Sequence, residues 1–441
     1  MTKEKGENFV DWRNKINRRQ FVKEMGGAVV AGMGLPYILT TSANADTPSD
    51  KITLGFIGVG MQGRGLLWAF LQQPGCRVVA ICDVDKQKLN RAIELVGENY
   101  GEKTGCTGYG DFRELLARDD IDGVVIAVPE HWHGVIAIEA CKRGKDVYCE
   151  KPLSLAIAEG RQMVDAVRRY GRVFQTGTMQ RSDMKFRRAC ELVRNGYIGQ
   201  VKTVNVCIFG SAFPMYPVNC DLPAEAVPSD LDWDMWLGPA QWRPFNSRIA
   251  PPIEDKGWPH WRDYDEFSGG LMTDWGAHHF DIAQWGLGMD ASGPVEVYPE
   301  NGKNIKMLIY KYANGVTVFR DDTMKYRSVL FTGTEGEVEV SREFLKVKPE
   351  SLARQRIGVN DIRLCASENH YTNWLDCVRN RQTPICDVEI GLRSATVCHL
   401  GIIAKKLGRP LKWDPVAERF INDAEADRFL SRPMRSPWKL A

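Results

Sequence analysis

The spacing of apolar and polar positions changes character near residue 176. Between Lys51 and Thr176 short β-branched runs alternate with stretches of helical period. The pattern predicts a strand from Ile52 to Ile57, a helix over 61–71, a strand over 77–82 and a helix over 85–96. A short capped helix near Phe112, a buried strand over 123–128, a helix reaching Arg143, a strand over 145–149, a helix over 156–170 and a strand over 172–176 complete the series. Strand–helix alternation of this kind builds a doubly wound parallel sheet. After a helix over 184–195 the alternation stops, and β-rich runs at 201–209, 306–312, 316–320, 328–332 and 337–341 predict a large, mainly antiparallel sheet. Two helices, 368–379 and an amphipathic 388–407, and an extended wrap-over tail from Asp414 close the chain. The expected fold is therefore α/β: an N-terminal Rossmann domain over 46–176, an α+β domain over 177–413 and a tail over 414–441.

The first predicted turn carries chemistry. Ile52 to Gly65 reads ITLGFIGVGMQGRG, in which Gly58, Gly60 and Gly63 form G-x-G-x-x-G between a strand and a helix that opens at Met61 and Gln62. Gly58 suits the tight turn, Gly60 the approach of backbone amides to a pyrophosphate, and Gly63 close helix–strand packing. The next strand ends in Asp83, 20 residues beyond Gly63, where a carboxylate binds adenosine ribose hydroxyls and repels a 2′-phosphate. NAD is expected rather than NADP.

Composition narrows the ligand class. A formal charge of +2 over 441 residues, with no basic run interleaved with aromatics, argues against nucleic acid and for a small molecule. The first 45 residues stand apart: Arg18-Arg19 precede a weakly apolar run from Gly26 to Leu35 and an Ala43-Asn44-Ala45 site, as in a twin-arginine export signal. That run is short for a membrane span. Cleavage after Ala45 would remove seven of the 58 Lys/Arg and four of the 56 Asp/Glu, leaving a net charge of about −1. Periplasmic localisation and a tightly held nucleotide, loaded before export, are the consistent expectations. The 12 cysteines include no C-x-x-C pair, and Cys82, Cys141, Cys149, Cys207 and Cys398 fall in apolar runs, so buried thiols are expected and no metal site.

Two turns at strand ends face the ligand edge of such a sheet: Pro129-Glu130-His131-Trp132-His133 and Glu150-Lys151-Pro152. An ammonium at Lys151 suits stabilisation of a developing alkoxide, although a loop lysine tied to Glu150 would read the same. Further on, Gly269-Gly270-Leu-Met-Thr-Asp274-Trp275-Gly276-Ala-His278-His279-Phe-Asp281 places Asp274 and His278 on one helix face, with Asp281 spaced to fix the imidazole. A capped helix packed through His and Trp has the same pattern. Seven tryptophans lie between Trp233 and Trp285, and Trp258-Pro-His260-Trp261 is the pair best placed to stack on a sugar ring.

GFIGVGMQGRG, AICDVD, AVPEHWH and CEKP, in this order and spacing, resemble the Gfo/Idh/MocA oxidoreductases from about Lys51 to the C-terminus. The resemblance implies that Lys151 is catalytic, that Asp274 orients substrate and that His278 is the acid/base, with His279 beside it as the alternative. It also implies a nucleotide site of Gly58, Gly60, Met61, Gln62, Gly63, Asp83, Pro129, His133, Glu150 and Lys151. The implied substrate site is Lys151, Arg181, Trp258, Trp261, Asp274, His278 and His279. Glu130 departs from the family's usual Asn or Asp. A homo-oligomer and a sugar or glycoside substrate follow from the same resemblance. The implied reaction is hydride transfer between NAD and a secondary hydroxyl, plausible at C3 of a glycoside. An NAD-dependent glycosidase working by transient oxidation and elimination, and a non-catalytic sensor, are the alternatives.

Overall fold

Six parallel strands form the N-terminal sheet, the central ones apolar on both faces, and each of the first five is followed by a helix. They are β1 (Ile52–Ile57), β2 (Cys76–Cys82), β3 (Thr107–Tyr109), β4 (Gly123–Ile126), β5 (Asp146–Cys149) and β6 (Phe174–Thr176). Their spatial order, β3-β2-β1-β4-β5-β6, is the doubly wound order with its switch point between β1 and β4. Every residue of β4 and β5 is buried, as expected of parallel strands covered on both sides. The covering helices are α1 (Met61–Leu71), α2 (Lys86–Tyr100), α3 (Phe112–Leu116), α4 (His133–Lys142) and α5 (Ile157–Tyr170). Sequence-local chemistry fixes two of their starts. Asp85 accepts from the amides of Gln87 (3.0 Å) and Lys88 (3.2 Å), and Asp111 accepts from Arg113 N (2.8 Å).

The second sheet has nine strands in the order β13-β12-β11-β7-β10-β9-β8-β14-β15. They are β7 (Val201–Val206), β8 (Glu296–Tyr298), β9 (Leu308–Lys311), β10 (Thr317–Arg320), β11 (Val329–Gly333), β12 (Glu337–Val340), β13 (Leu345–Lys348), β14 (Leu411–Asp414) and β15 (Arg419–Phe420). The sheet is antiparallel except where β7 and β10 pair in parallel. One face packs on α6 (Met184–Arg194), α8 (Leu271–Leu287) and α10 (Val388–Leu407), with Phe186, Phe280, Tyr310, Phe331 and Trp413 in a shared core. The remaining helices are α7 (Trp233–Leu237), α9 (His370–Asn380) and α11 (Ala424–Asp427).

Helix α10 corrects one expectation. It is not amphipathic: Ser394 to Ala404 is buried without interruption. Its first half packs Val388, Leu392 and Ala395 into the core of the first domain, and its second half packs Val397 to Ala404 into the second. A helix buried on all sides has no polar stripe to keep. α9 likewise inserts Trp374 among Phe56, Phe70 and Tyr148 of the first domain.

The computed structural model describes residues 51–101, 105–209, 222–255 and 257–440. The predicted export segment, including Arg18, Arg19 and Ala45, lies outside the described residues. After β15 the chain returns to the first domain, where Trp438 packs edge-on against Trp132 (4.6 Å between rings) and Arg435 Nε donates to Gly238 O (2.9 Å).

Candidate active site

The nucleotide half is made mainly of backbone. Gly58 adopts φ +85°, and a Cβ there would come within 2.8 Å of the Ala127 carbonyl. At Gly63 a Cβ would stand 2.1 Å from Gly58 O, so only glycine lets α1 start against the turn. A Cβ on Gly60 would meet nothing within 4 Å among the described residues, so these do not demand glycine there, and the open space lies where a pyrophosphate approaches. The first turn of α1 carries no acidic residue and no side-chain cap, which leaves its amides available to an anion. The Asp83 carboxylate is anchored by Val59 N (2.7 Å) and Asp85 N (2.9 Å) and so sits at the lip of the loop. These residues fit NAD.

The two halves meet through Gln62, which begins in the phosphate helix and donates from Nε2 to Glu150 Oε1 (3.1 Å). Burial, the largest influence on Glu150, raises its pKa. The next residue, Lys151, crosses to the second domain: its ammonium is hydrogen-bonded and ion-paired to Asp274 Oδ1 and lies 3.3 Å from the Asp274 carbonyl. Burial alone would push the Asp274 carboxyl up, but the Lys151 charge, followed by Arg262, overrides it and holds the group below its usual range. One turn along α8, His278 is buried. Burial, reinforced by the Lys151 and Arg342 charges, takes its pKa well below the usual imidazole value, leaving it neutral. Its Nδ1 is buried with no hydrogen-bond partner among the described residues.

Glu130 gives the departure at that position a physical role. It is buried, and its carboxylate accepts from Ser268 Oγ (2.6 Å), Gly269 N (3.1 Å) and Thr273 Oγ1 (3.3 Å), gripping the start of the helix that bears Asp274 and His278. Burial raises its pKa to about 7.

Several expected contacts are redirected. His133 is not open to the nicotinamide side: it is buried, with Nδ1 2.8 Å from Pro152 O and Nε2 3.0 Å from Val128 O, so it staples the two strand-end loops together. Arg181 does not face a substrate. Its guanidinium is buried in paired contacts to Asp281 (2.8 Å) and Asp290 (2.7 Å), and Ser394 donates to the same Asp281 carboxylate. Asp281 is thereby committed to Arg181 and does not orient the His278 imidazole. His279 Nδ1 lies 2.8 Å from Cys207 O, and the Lys151 charge that bears on His278 is not among the influences on His279. Trp258 and Trp261 both stack on Arg262, whose Cζ lies 4.6 and 4.3 Å from their ring centres. Pro129 follows the end of β4, and Met61 opens α1, at the nucleotide edge of the sheet.

Arg262, Arg327 and Arg342 around Asp274 were not anticipated from sequence. Arg262 has a weak sequence signal, its place directly after the Trp258–Trp261 pair. The other two have none, because only the fold brings the segment before β11 and the turn after β12 against the same Trp275 ring.

The comparisons with known proteins agree with this fold. Residues 52–178 match the profile described as the oxidoreductase family NAD-binding Rossmann fold, and residues 182–440 match the oxidoreductase family C-terminal alpha/beta domain. A glycosyl hydrolase family 109 protein of Shewanella putrefaciens is 33% identical over 210 residues, an alignment spanning 43% of this chain and 45% of that relative. The fold is similar to the WlbA dehydrogenase of Bordetella pertussis, solved with NADH and UDP-GlcNAcA (TM-score 0.58, 18% identity, 82% of this chain and 99% of that one). It is similar also to the aldose-aldose oxidoreductase of Caulobacter crescentus, complexed with glycerol (TM-score 0.56, 19% identity, 82% and 99%). Among the described residues no helix is long and apolar enough to cross a membrane. With both of its domains matched, a nucleotide loop that fits NAD and a lysine-bearing turn at the ligand edge, the chain belongs to the Gfo/Idh/MocA oxidoreductase family.

Proposed function

We propose that this protein transfers hydride between NAD and a secondary hydroxyl of a sugar or glycoside. The observation that carries the reading is the junction of Lys151, at the nucleotide edge of the first sheet, with Asp274 on the helix that bears His278. NAD, when bound, supplies the hydride acceptor. The neutral His278 imidazole takes the hydroxyl proton, the Lys151 ammonium stabilises negative charge growing on that oxygen, and Asp274 accepts a hydrogen bond from a neighbouring hydroxyl. Glu130 keeps the start of α8 in place, so that these groups meet the substrate already aligned.

The similarity to the Shewanella glycosyl hydrolase supports a second reading on the same residues. Oxidation at one carbon acidifies its neighbour, a glycosidic bond leaves by elimination, and return of the hydride makes the net reaction hydrolysis. In either case the twin-arginine pattern at Arg18-Arg19 supports periplasmic export, where no free nucleotide pool exists and a bound, recycled NAD is required. The outer face of the large sheet, with Ile309, Phe319 and Leu330 half-buried, is the surface we assign to self-association.

The test is to purify the protein, release and identify its nucleotide, and follow reduced-nicotinamide absorbance while glycosides and keto-sugars are added. Lasting reduction with a keto product supports the oxidoreductase. Sugar release without net reduction supports the glycosidase, and a protein that neither holds nor binds NAD contradicts both.

A further inference from the structure

The substrate half of the cleft holds cations that hydroxyl chemistry does not need. β11 and β12 pair antiparallel with Val329 opposite Val340. Arg327 precedes β11 by two residues, and Arg342 lies two residues beyond that pair, in the turn between β12 and β13. The Arg327 charge bears on Arg342, and like charges held this close repel unless something between them is negative. Both guanidiniums lie against the indole of Trp275, with Cζ 4.0 and 4.5 Å from the ring centre. Trp275 sits between Asp274 and His278 in sequence, and its ring packs 5.9 Å from the His278 ring.

Each arginine is fixed by its Nε. Arg327 Nε donates to Ile208 O (3.0 Å), and Arg342 Nε donates to the Gln180 amide oxygen (3.2 Å) in the amide orientation that satisfies both ends of Gln180. Their terminal nitrogens remain, and among the described residues neither arginine has a carboxylate partner. The carboxylates nearby are engaged elsewhere: Asp322 with Arg320, Asp183 with Lys185, Glu343 with Ser341 Oγ, and Asp274 with Lys151. On the other side of Asp274, Arg262 Nε lies 3.9 Å from Oδ2, and its Nη1 is buried with no hydrogen-bond partner among the described residues. Paired guanidinium forks against an aromatic face, held through Nε with their ends free, form a receptor for a planar or tetrahedral oxyanion.

We propose that the sugar substrate carries an anionic substituent, a uronate carboxylate or a sulfate ester, gripped by Arg327 and Arg342 beside Trp275 while its hydroxyl lies between Lys151 and His278. This rests on the reading of Lys151 and His278 as the hydroxyl-oxidising pair. The arginine pair is a specificity device: it selects acidic sugars over neutral ones and sets which ring carbon reaches the nicotinamide edge.

The experiment uses the NAD-loaded protein with three methyl glycosides, in both anomers: a glucoside, the matching glucuronide and the matching 6-sulfate. Nicotinamide absorbance gives kcat and KM, and calorimetry gives binding. One anionic glycoside should exceed the neutral one in kcat/KM by at least about tenfold, and which of the two does so identifies the substituent. Arg342→Gln and Arg327→Gln should each cut that ratio by about tenfold, mainly through KM, and Arg327→Lys should restore part of it. The preference should also shrink as salt is raised. A neutral glycoside used as well as both anionic ones, with a ratio unmoved by either substitution, overturns the proposal and leaves the oxidoreductase standing. A protein that oxidises none of the three yet binds an anionic one, in calorimetry, with the same arginine dependence keeps the anion site and overturns the hydroxyl chemistry instead.

Discussion

The two halves of the cleft are built by different means. The nucleotide half is a single local segment, Gly58 to Gly63 with Asp83 at its lip, and its geometry is set by backbone and by the absence of side chains. The substrate half is assembled from side chains on separate segments: Glu130 and Lys151 from strand ends of the first sheet, Asp274 and His278 from α8, Arg262 from a short 3-10 turn, and Arg327 and Arg342 from the segments before β11 and after β12. A site made of backbone is tolerant everywhere except at its glycines. A site made of long-range pairs fails wherever one partner is removed, and substitutions in the two halves should therefore separate cofactor binding from chemistry.

The largest expected effect is on chemistry alone. His278→Ala should lower kcat by a factor on the order of 10² to 10⁴ while the protein still purifies with its nucleotide. Steady-state kinetics beside a nucleotide assay would show the separation; loss of both together would place His278 in the nucleotide site. Beneath the same half, Arg181→Met leaves Asp281 buried without its cation. Urea denaturation should register a loss of about 3–5 kcal/mol, with no sign that the residue contacts substrate in whatever protein remains folded.

The difference between the halves also explains what could be read from sequence. The parallel strands β1, β2, β4, β5 and β6 show themselves through alternation, and the phosphate loop through glycines whose reasons are local. The short strands β3, β8, β13, β14 and β15 escape because two to four residues carry no period, and in Leu345–Lys348 the alternate positions are lysines on an edge strand. Lys151, Asp274 and His278 were visible as motif residues. Arg181 and His133 were assigned to ligands because nothing local distinguishes a motif-adjacent cation or imidazole facing a cleft from one committed to buried carboxylates or carbonyls. Arg327 and Arg342 are 15 residues apart, flanking the β11–β12 hairpin, and only its folding against Trp275 makes them neighbours.

A smaller effect sharpens the role of the junction. The pKa of Glu130 is raised by burial from its ordinary 4.5 to about 7. Between those values the unfolded chain has lost a proton that the folded chain keeps. The stabilisation is thus complete below about pH 4.5 and is lost as pH rises through about 7, by up to roughly 3 kcal/mol. Glu159, also raised by burial to about 7, contributes with the same sign. Urea midpoints measured across this window should fall with rising pH in the wild type and less steeply in Glu130→Gln. An unchanged slope would mean that Glu130 titrates normally. Smallest in stability is Gly60→Ala. Its Cβ meets nothing within 4 Å among the described residues, so unfolding should move by no more than about 0.5 kcal/mol while nucleotide retention weakens. Gly63→Ala, facing Gly58 O at 2.1 Å, should damage both.

The most direct test of the central claim, that the Lys151–Asp274–His278 junction performs hydroxyl chemistry on a resident NAD, is rapid mixing of the NAD-loaded protein with a glycoside it binds. Wild type should show reduced-nicotinamide absorbance rising within a single turnover, lasting for the oxidoreductase and transient for the glycosidase. His278→Ala, with equal nucleotide, should not. Equal reduction in both proteins, or none in the wild type with a bound glycoside, would contradict the account.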